Sequence, residues 1–422
     1  MKKLIALIVV LVLAFGCYAS WYAIRQRPVV HKPDAEPVET AVPVPAASPA
    51  AATPAATAPA ETGEPAESAA PIVIPEIDMD AVRALHTNDE AVITLGDEKI
   101  DWKVYTEWLQ NTVTQIDDYF HQMAAYYGMA ASWDGSVGDG SGMTYAQYAV
   151  HENNEGLADV LAYRAFAAEQ GVTLTQEEQA ALEPDALAAA ILGEGKVAAD
   201  LEAELAEEGM SLETYRMIQE TNNLLHKAYA ERYGEQGEKV SEEEAVQYLG
   251  DQGYLSASHI LFMTIDPNTG DALDEAVVAE KLAKAEELVK ELRGIQNEEE
   301  LVRRFGELKV EYCEDGGKVA YPDGYTFLPG TMVPEFESTI QGEKDYEVSD
   351  PIKTAYGYHI ILRLPLRGDA LLYSMQGTPT TARQEIATRS MNDALSAFVQ
   401  AHPVTYAEGI EDLDLMKFIK AE

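Results

Sequence analysis

The sequence predicts an α+β chain: a compact α+β domain inserted between segments of an α-helical lobe, behind an N-terminal transmembrane helix. Three observations predict it. Apolar residues recur at helical spacing from about residue 92 to 250 and again from about 380 to 401. Between them, "LSASHILFMTI" at 255–265 and "GYHIILRL" at 357–364 are strand-like runs. At the start, Leu4 to Ile24 forms an uncharged, mostly apolar stretch between Lys2–Lys3 and Arg25. That length suffices to cross a bilayer as a helix.

Each element follows in order. Residues 1–27 are expected to be a membrane anchor, because the apolar run is long for a cleaved signal peptide and lacks a small-x-small cleavage site. "AFGC" leaves a lipidated Cys17 as one alternative and simple secretion as another. Residues 28–75 are rich in Pro and Ala and poor in large apolar side chains, so they form a semi-extended spacer rather than a core. A spacer after an anchor holds a folded body away from the membrane.

Residues 76–251 form the helical lobe. "VITLGDEKI" predicts a short hairpin before a long amphipathic helix, and "MTYAQYAVHENNEGLADVLAYRAFAAEQG" a second helix that Gly171 stops. "TQEE" at 175–178 and "SEEE" at 241–244 are capping boxes, in which a hydroxyl accepts an orphan amide and a Glu reaches back. Residues 211–234 add a further helix. In 252–367, a helix ends at Gly294, a shorter one starts at the N-cap Asn297, and "VPEFESTI" makes a third before the closing strand. Residues 368–422 are again helical. Ile386, Met391, Leu395, Phe398 and Val399 fall near one face, which needs a surface to cover it. The helices before residue 250 offer such a surface, so this segment is expected to pack back onto the lobe.

Composition excludes several functions. Acidic residues number 72 against 30 basic, a net charge of −42. Nucleic acid and anionic lipid both require a cationic surface. The two cysteines, Cys17 and Cys313, cannot form a useful disulfide if Cys17 lies in the leader. Neither a CxxC pair nor HExxH occurs, so no metal or cofactor is expected. "WDGSVGDGSG" at 133–142 has oxygen ligands suited to calcium but lacks the closing Glu of an EF-hand loop, and is better explained as a polar turn.

The chain has eight histidines, and two stand inside strand-like runs, His259 in "SASHILF" and His359 in "YGYHIILRL". Between them come "YCEDGG", "LPGTMVPEFE" and "VSDPIKTAYGYHIILRL". As an ordered set these motifs resemble the parvulin family of peptidyl-prolyl isomerases, over roughly residues 254–366. The wider layout of anchor, helical lobe, isomerase unit and C-terminal helix is similar to the extracytoplasmic foldases of the PrsA/SurA type.

The resemblance implies a site. His259 and His359 would lie side by side on adjacent central strands as a hydrogen-bonded pair, orienting the site rather than shuttling protons. The third polar position falls on Asp315, because "YCED" matches Tyr/Phe-Ser-x-Asp. Cys313 then fills a serine slot and is not a nucleophile. Met332 and Phe336 match the residues of the proline cup, with Phe327 and Tyr356 as flanking contacts; plain core packing accounts for the same apolar positions. Where the family pattern has Gly-Gly-x-Leu-Gly-x-Phe, this chain has "YPDGYTF", and Gly324 replaces a leucine that would help close the cup.

The activity implied is isomerisation of X-Pro bonds in unfolded or partly folded exported polypeptides. The alternatives are a catalytically weak or inactive peptide-binding chaperone, and a surface structural protein. The loop after the first strand, "FMTIDPNTGDALDEA", has no Lys or Arg, so a phosphorylated substrate would be repelled.

Overall fold

The computed structural model describes residues 74–374 and 379–420. The expected anchor and all but the last two residues of the spacer lie outside the described residues. Among the described residues, no helix is long and apolar enough to cross a membrane.

The described chain divides into two units. The first comprises residues 74–232 and 390–420, and the second residues 233–374 and 379–389.

In the first unit, helix α1 (Met79–Arg83) precedes the hairpin β1 (Ala91–Leu95) and β2 (Glu98–Asp101). Helix α2 (Trp102–Tyr127) follows at once, its N-terminus capped by Asp101, whose side chain accepts the Val104 amide. Trp102, Tyr105, Leu109, Val113, Ile116 and Phe120 recur every three or four residues and are all buried. They pack against Val92, Ile93 and Ile100 of the hairpin and Leu157 and Leu161 of α3 (Tyr145–Glu169).

Trp133, from the glycine-rich loop, joins this core with its ring 5.2 Å from Phe120. In the same loop, Asp139 Oδ1 accepts both the amide and the hydroxyl of Ser141. A polar turn is what these bonds build.

Helices α4 (Gln176–Ala181), α5 (Pro184–Leu192), α6 (Ala198–Glu207) and α7 (Leu212–Tyr233) surround a second cluster that includes Leu187, Leu201, Leu205, Tyr215 and Ile218. The Thr175–Glu178 capping box forms at the start of α4. The lobe is not purely helical. A two-residue strand at Thr405–Tyr406 pairs with β1, giving a three-stranded sheet. Met391, Leu395 and Phe398 are buried, and Phe398 meets Phe166 of α3 edge-on at 5.6 Å.

The second unit opens with α8 (Glu242–Gln252), where Ser241 accepts the Glu244 amide. Strand β3 (Leu255–Met263) follows, then helices α9 (Glu275–Arg293) and α10 (Glu298–Tyr312), the latter capped by Asn297. Next come β4 (Tyr325–Phe327), α11 (Pro334–Gly342), β5 (Ile352–Lys353) and β6 (Gly357–Arg363). The sheet is antiparallel in the order β4-β3-β6-β5, so β3 and β6 are central.

Alternation assigns the two faces. Ile260, Phe262, Ile360 and Leu362 pack with Leu288 of α9 and Phe305 of α10. Ala257 and Ile361 pack with Phe327 and with Phe336 and Ile340 of α11. Both faces of the central strands are covered, which is why β3 is one nearly continuous buried run. The helix α12 (Ala382–Ala401) contributes its first turns here. Arg383 pairs with Glu242, and the Tyr248 hydroxyl donates to Glu385 Oε1 at 2.6 Å.

Candidate functional site

The site is built on the α11-covered face. In the β3–β6 register His259 is opposite Ile361, and His359 opposite Leu261. The two histidines are therefore diagonal neighbours on one face, not directly opposed. Their rings meet edge-to-face with centroids 5.2 Å apart.

The expected hydrogen bond between the rings is not formed; each binds elsewhere. His259 Nε2 lies 3.1 Å from Asp315 Oδ2, an ion-pair contact too bent to count as a hydrogen bond. His359 Nε2 is 2.9 Å from the Thr354 hydroxyl. A two-residue offset on antiparallel strands leaves the rings crossed, and crossed rings present a π-face where a hydrogen bond would need a lone pair.

Asp315 follows α10, on the segment that runs back along β3. The Glu314 amide donates to the Leu261 carbonyl at 2.9 Å, and the Leu261 amide donates to Cys313 Sγ at 3.4 Å. Cys313 is thus a buried residue of this segment, its sulfur accepting the Leu261 amide and lying beside His259. The Asp315 carboxylate accepts the Gly317 amide at 3.0 Å and the Tyr325 hydroxyl at 2.6 Å.

These contacts separate the charge states. Burial pushes the Asp315 carboxyl up, but His259 and Tyr325 outweigh it and hold it well below the usual carboxylate range. For His259, burial pulls the imidazole down, while Asp315 and Cys313 more than offset this and the net shift is upward. Burial, reinforced by His259, pulls His359 down to about 3. Near neutral pH the site therefore holds a carboxylate, an imidazole biased toward its cation, and a neutral imidazole.

The apolar wall stands beside these groups. Phe336, which is 2 % exposed, lies 5.4 Å from the His259 ring and 5.9 Å from the His359 ring. Phe327 is 6.1 Å from Phe336 and fully buried, while Met332 is half-buried against the same cluster. Glu337 fixes the loop that presents Met332, accepting the Met332 amide at 2.8 Å and the Gly330 amide at 2.9 Å. Tyr356 is not brought into this group. It precedes β6 and packs with Met263 and Tyr358 against the cluster on the α9 side, while its amide donates to Thr354 Oγ1 at 3.1 Å.

Gly324 has a backbone reason. Its φ is +115°, and a Cβ there would sit 2.7 Å from the Ala257 carbonyl oxygen. The turn as folded has no room for a leucine. Tyr325, two residues before Phe327 on the same strand face, fills the side of the site instead and stacks on His259 with centroids 5.5 Å apart. Sequence reasoning missed Tyr325, Thr354 and Glu337. The alternation of Tyr325 with Phe327 was the available signal; the other two act through the backbone or from a neighbouring turn.

Comparison with known proteins fits this geometry. Residues 259–364 match the family described as Rotamase, PPIC-type PPIASE domain. A chaperone SurA from Burkholderia lata is 33% identical over 110 residues, 26% of this chain and 24% of that protein. A foldase protein PrsA from Geobacillus kaustophilus is 36% identical over 125 residues, 29% of this chain and 36% of that protein. The matched stretch thus spans well under half the length of these relatives. Among solved structures, PrsA from Bacillus subtilis aligns over 67% of this chain and 91% of its own, at 21% identity and a TM-score of 0.25. The second unit carries a parvulin-type, PPIC-type isomerase domain.

Proposed function

We propose that this chain is a peptidyl-prolyl cis-trans isomerase that serves as an extracytoplasmic folding catalyst and chaperone. The observation that carries the reading is the His259–Asp315–His359 group beside the Phe336–Met332 wall, within the stretch that matches the isomerase family.

The mechanism follows from the reaction. Rotation about an X-Pro bond must lose amide resonance, a barrier of about 18–20 kcal/mol. No bond to the substrate forms or breaks, so neither a nucleophile nor proton transfer is needed. A thousandfold acceleration requires about 4 kcal/mol of preferential binding to the twisted amide. The twisted form is less dipolar than either planar form, so a water-poor cup favours it. Met332, Phe336 and Phe327 supply that cup for the proline ring. Asp315, held ionised, and His259, biased toward its cation, set a fixed field beside the rotating carbonyl. His359, kept neutral and tied to Thr354, braces the floor without adding charge.

The substrates are unfolded or partly folded exported polypeptides, in line with the names of the relatives, chaperone SurA and foldase PrsA. Residues 4–24 would anchor the chain and the spacer would hold the body on the outer side. Carbonate extraction of membranes, followed by mass analysis of the N-terminus, tests this. A retained Met1–Arg27 supports it, and an acylated Cys17 as the first residue refutes it. An isomerisation assay on proline peptides with Asp315→Ala and His259→Ala tests the catalytic reading. Both variants should be slower than the wild type, and unchanged rates would refute the assignment.

A further inference from the structure

We propose that Tyr325 is a positioning residue of the isomerase site, one that locks Asp315 against His259 from a turn anchored by Lys309 and through a notch left open by Gly317. The proposal rests on the isomerase reading of the same site.

Three features of the structure point to it. Asp315 Oδ2 receives the Tyr325 hydroxyl at 2.6 Å and lies 3.1 Å from His259 Nε2, while Oδ1 receives the Gly317 amide at 3.0 Å. Both carboxylate oxygens are committed, so the group cannot rotate away from His259 without breaking a bond. The Tyr325 ring also stacks on His259, and one residue therefore touches both partners.

The hydroxyl occupies a place made for it. A Cβ at position 317 would fall 2.1 Å from the Tyr325 oxygen and 3.2 Å from Asp315 Oδ2. Only glycine leaves that space.

The turn that delivers Tyr325 is held by an unusual group. Lys309 is 2 % exposed, and its ammonium donates to the carbonyls of Tyr321 at 2.8 Å and Pro322 at 3.0 Å. It stands 5.9 Å from the Tyr325 ring. Burying an ammonium is costly unless it is well bonded, and both of these acceptors belong to the one turn. The lysine thus ties residues 321–325 to α10, the helix from which Asp315 emerges. In the Gly-Gly-x-Leu-Gly-x-Phe pattern, of which "YPDGYTF" keeps only the final Phe, position 325 falls on a glycine with no hydroxyl to give. Lys309 and the notch at Gly317 accommodate the tyrosine hydroxyl.

The test compares full-length Tyr325→Phe, Gly317→Ala and the double variant, with thermal melts to confirm folding. Tyr325→Phe keeps the ring and removes one oxygen. Gly317→Ala keeps every hydrogen-bonding group and displaces that oxygen. Each should lower kcat/KM about tenfold, mainly through kcat, as expected for loss of a hydrogen bond to a charged group. Each should also lower the pKa of His259 followed by NMR, because a released Asp315 spends less time beside it. The double variant should be no worse than Tyr325→Phe, since phenylalanine has no oxygen to displace. Lys309→Met should act in the same direction, with partial rescue by Lys309→Arg. A wild-type rate and His259 titration in Tyr325→Phe would overturn the proposal, as would additive losses in the double variant. Should the wild-type chain not isomerise any peptide, the isomerase reading fails. The His259 titration then decides alone: a fall in Tyr325→Phe supports positioning, and no fall or a rise overturns it.

Discussion

Replacing Asp315 by Asn removes one charge and little volume, and its cost should depend on pH in a way the geometry dictates. His259 is 8 % exposed, and Asp315 is the carboxylate 3.1 Å from its Nε2. In the wild type the raised imidazole makes a contribution to stability that is fully present below the unfolded histidine value of about 6.5. It is lost as pH rises through the higher folded value. In Asp315→Asn, burial acts on His259 without its counter-ion, so its folded value falls.

Stripping the partner from a buried pair costs about 3–5 kcal/mol, but the imidazole escapes most of this by giving up its proton. Near pH 8.5 the loss should be about 1–2 kcal/mol, from weakened hydrogen bonds of Tyr325 and Gly317 to a neutral amide. Near pH 5.5 it should grow to about 2.5–3.5 kcal/mol, because the one unit below the intrinsic value adds up to ~1.4 kcal/mol. His359 is present in both proteins and cancels. Urea unfolding at the two pH values measures this, followed through the NMR signals of β3 and β6 amides because all four tryptophans lie outside this unit. A loss that is the same at both pH values, or larger at pH 8.5, would refute the pairing.

Phe336→Ala should cost about 3–5 kcal/mol in the same unfolding measurement and abolish isomerisation, since it empties a buried wall beside both histidines. Burial and then Glu347 push the Glu343 carboxyl up to about 7. Its protonated form favours the fold below the ordinary carboxylate range, and that contribution is lost as pH rises through about 7. Glu343→Gln should therefore raise the melting temperature at pH 8 and leave it unchanged at pH 4; equal shifts at both would contradict this. Phosphorylating the serine of a Ser-Pro peptide should lower kcat/KM, because Asp266, Asp271, Asp274 and Glu275 line the β3–α9 connection. Cys313→Ser should leave isomerisation nearly intact, as a hydroxyl can accept the Leu261 amide in place of Sγ.

Much of this architecture is legible because it is local. The spacing of Trp102 to Phe120, the Thr175 box and the Asn297 cap each record a helix in neighbouring residues. His259, Asp315, His359, Met332 and Phe336 are recognisable together because an ordered motif carries them. What the motif leaves open is register: both strand histidines were identifiable, yet only the β3–β6 pairing shows them diagonal and crossed. Lys309, Glu337 and Thr354 find their partners across turns, and no periodicity encodes that. The strand Thr405–Tyr406 is two residues long, too short to show alternation, so the third strand of the helical lobe had no signal in sequence.

The central claim is that this chain lowers the barrier to X-Pro rotation rather than only holding peptide. NMR magnetisation exchange on an unphosphorylated Ala-Pro peptide, with full-length protein at catalytic concentration, measures that barrier directly. Cis-trans exchange should be accelerated by the wild type, and much less by His259→Ala. Peptide signals that broaden on binding while exchange stays at its uncatalysed rate would contradict the account.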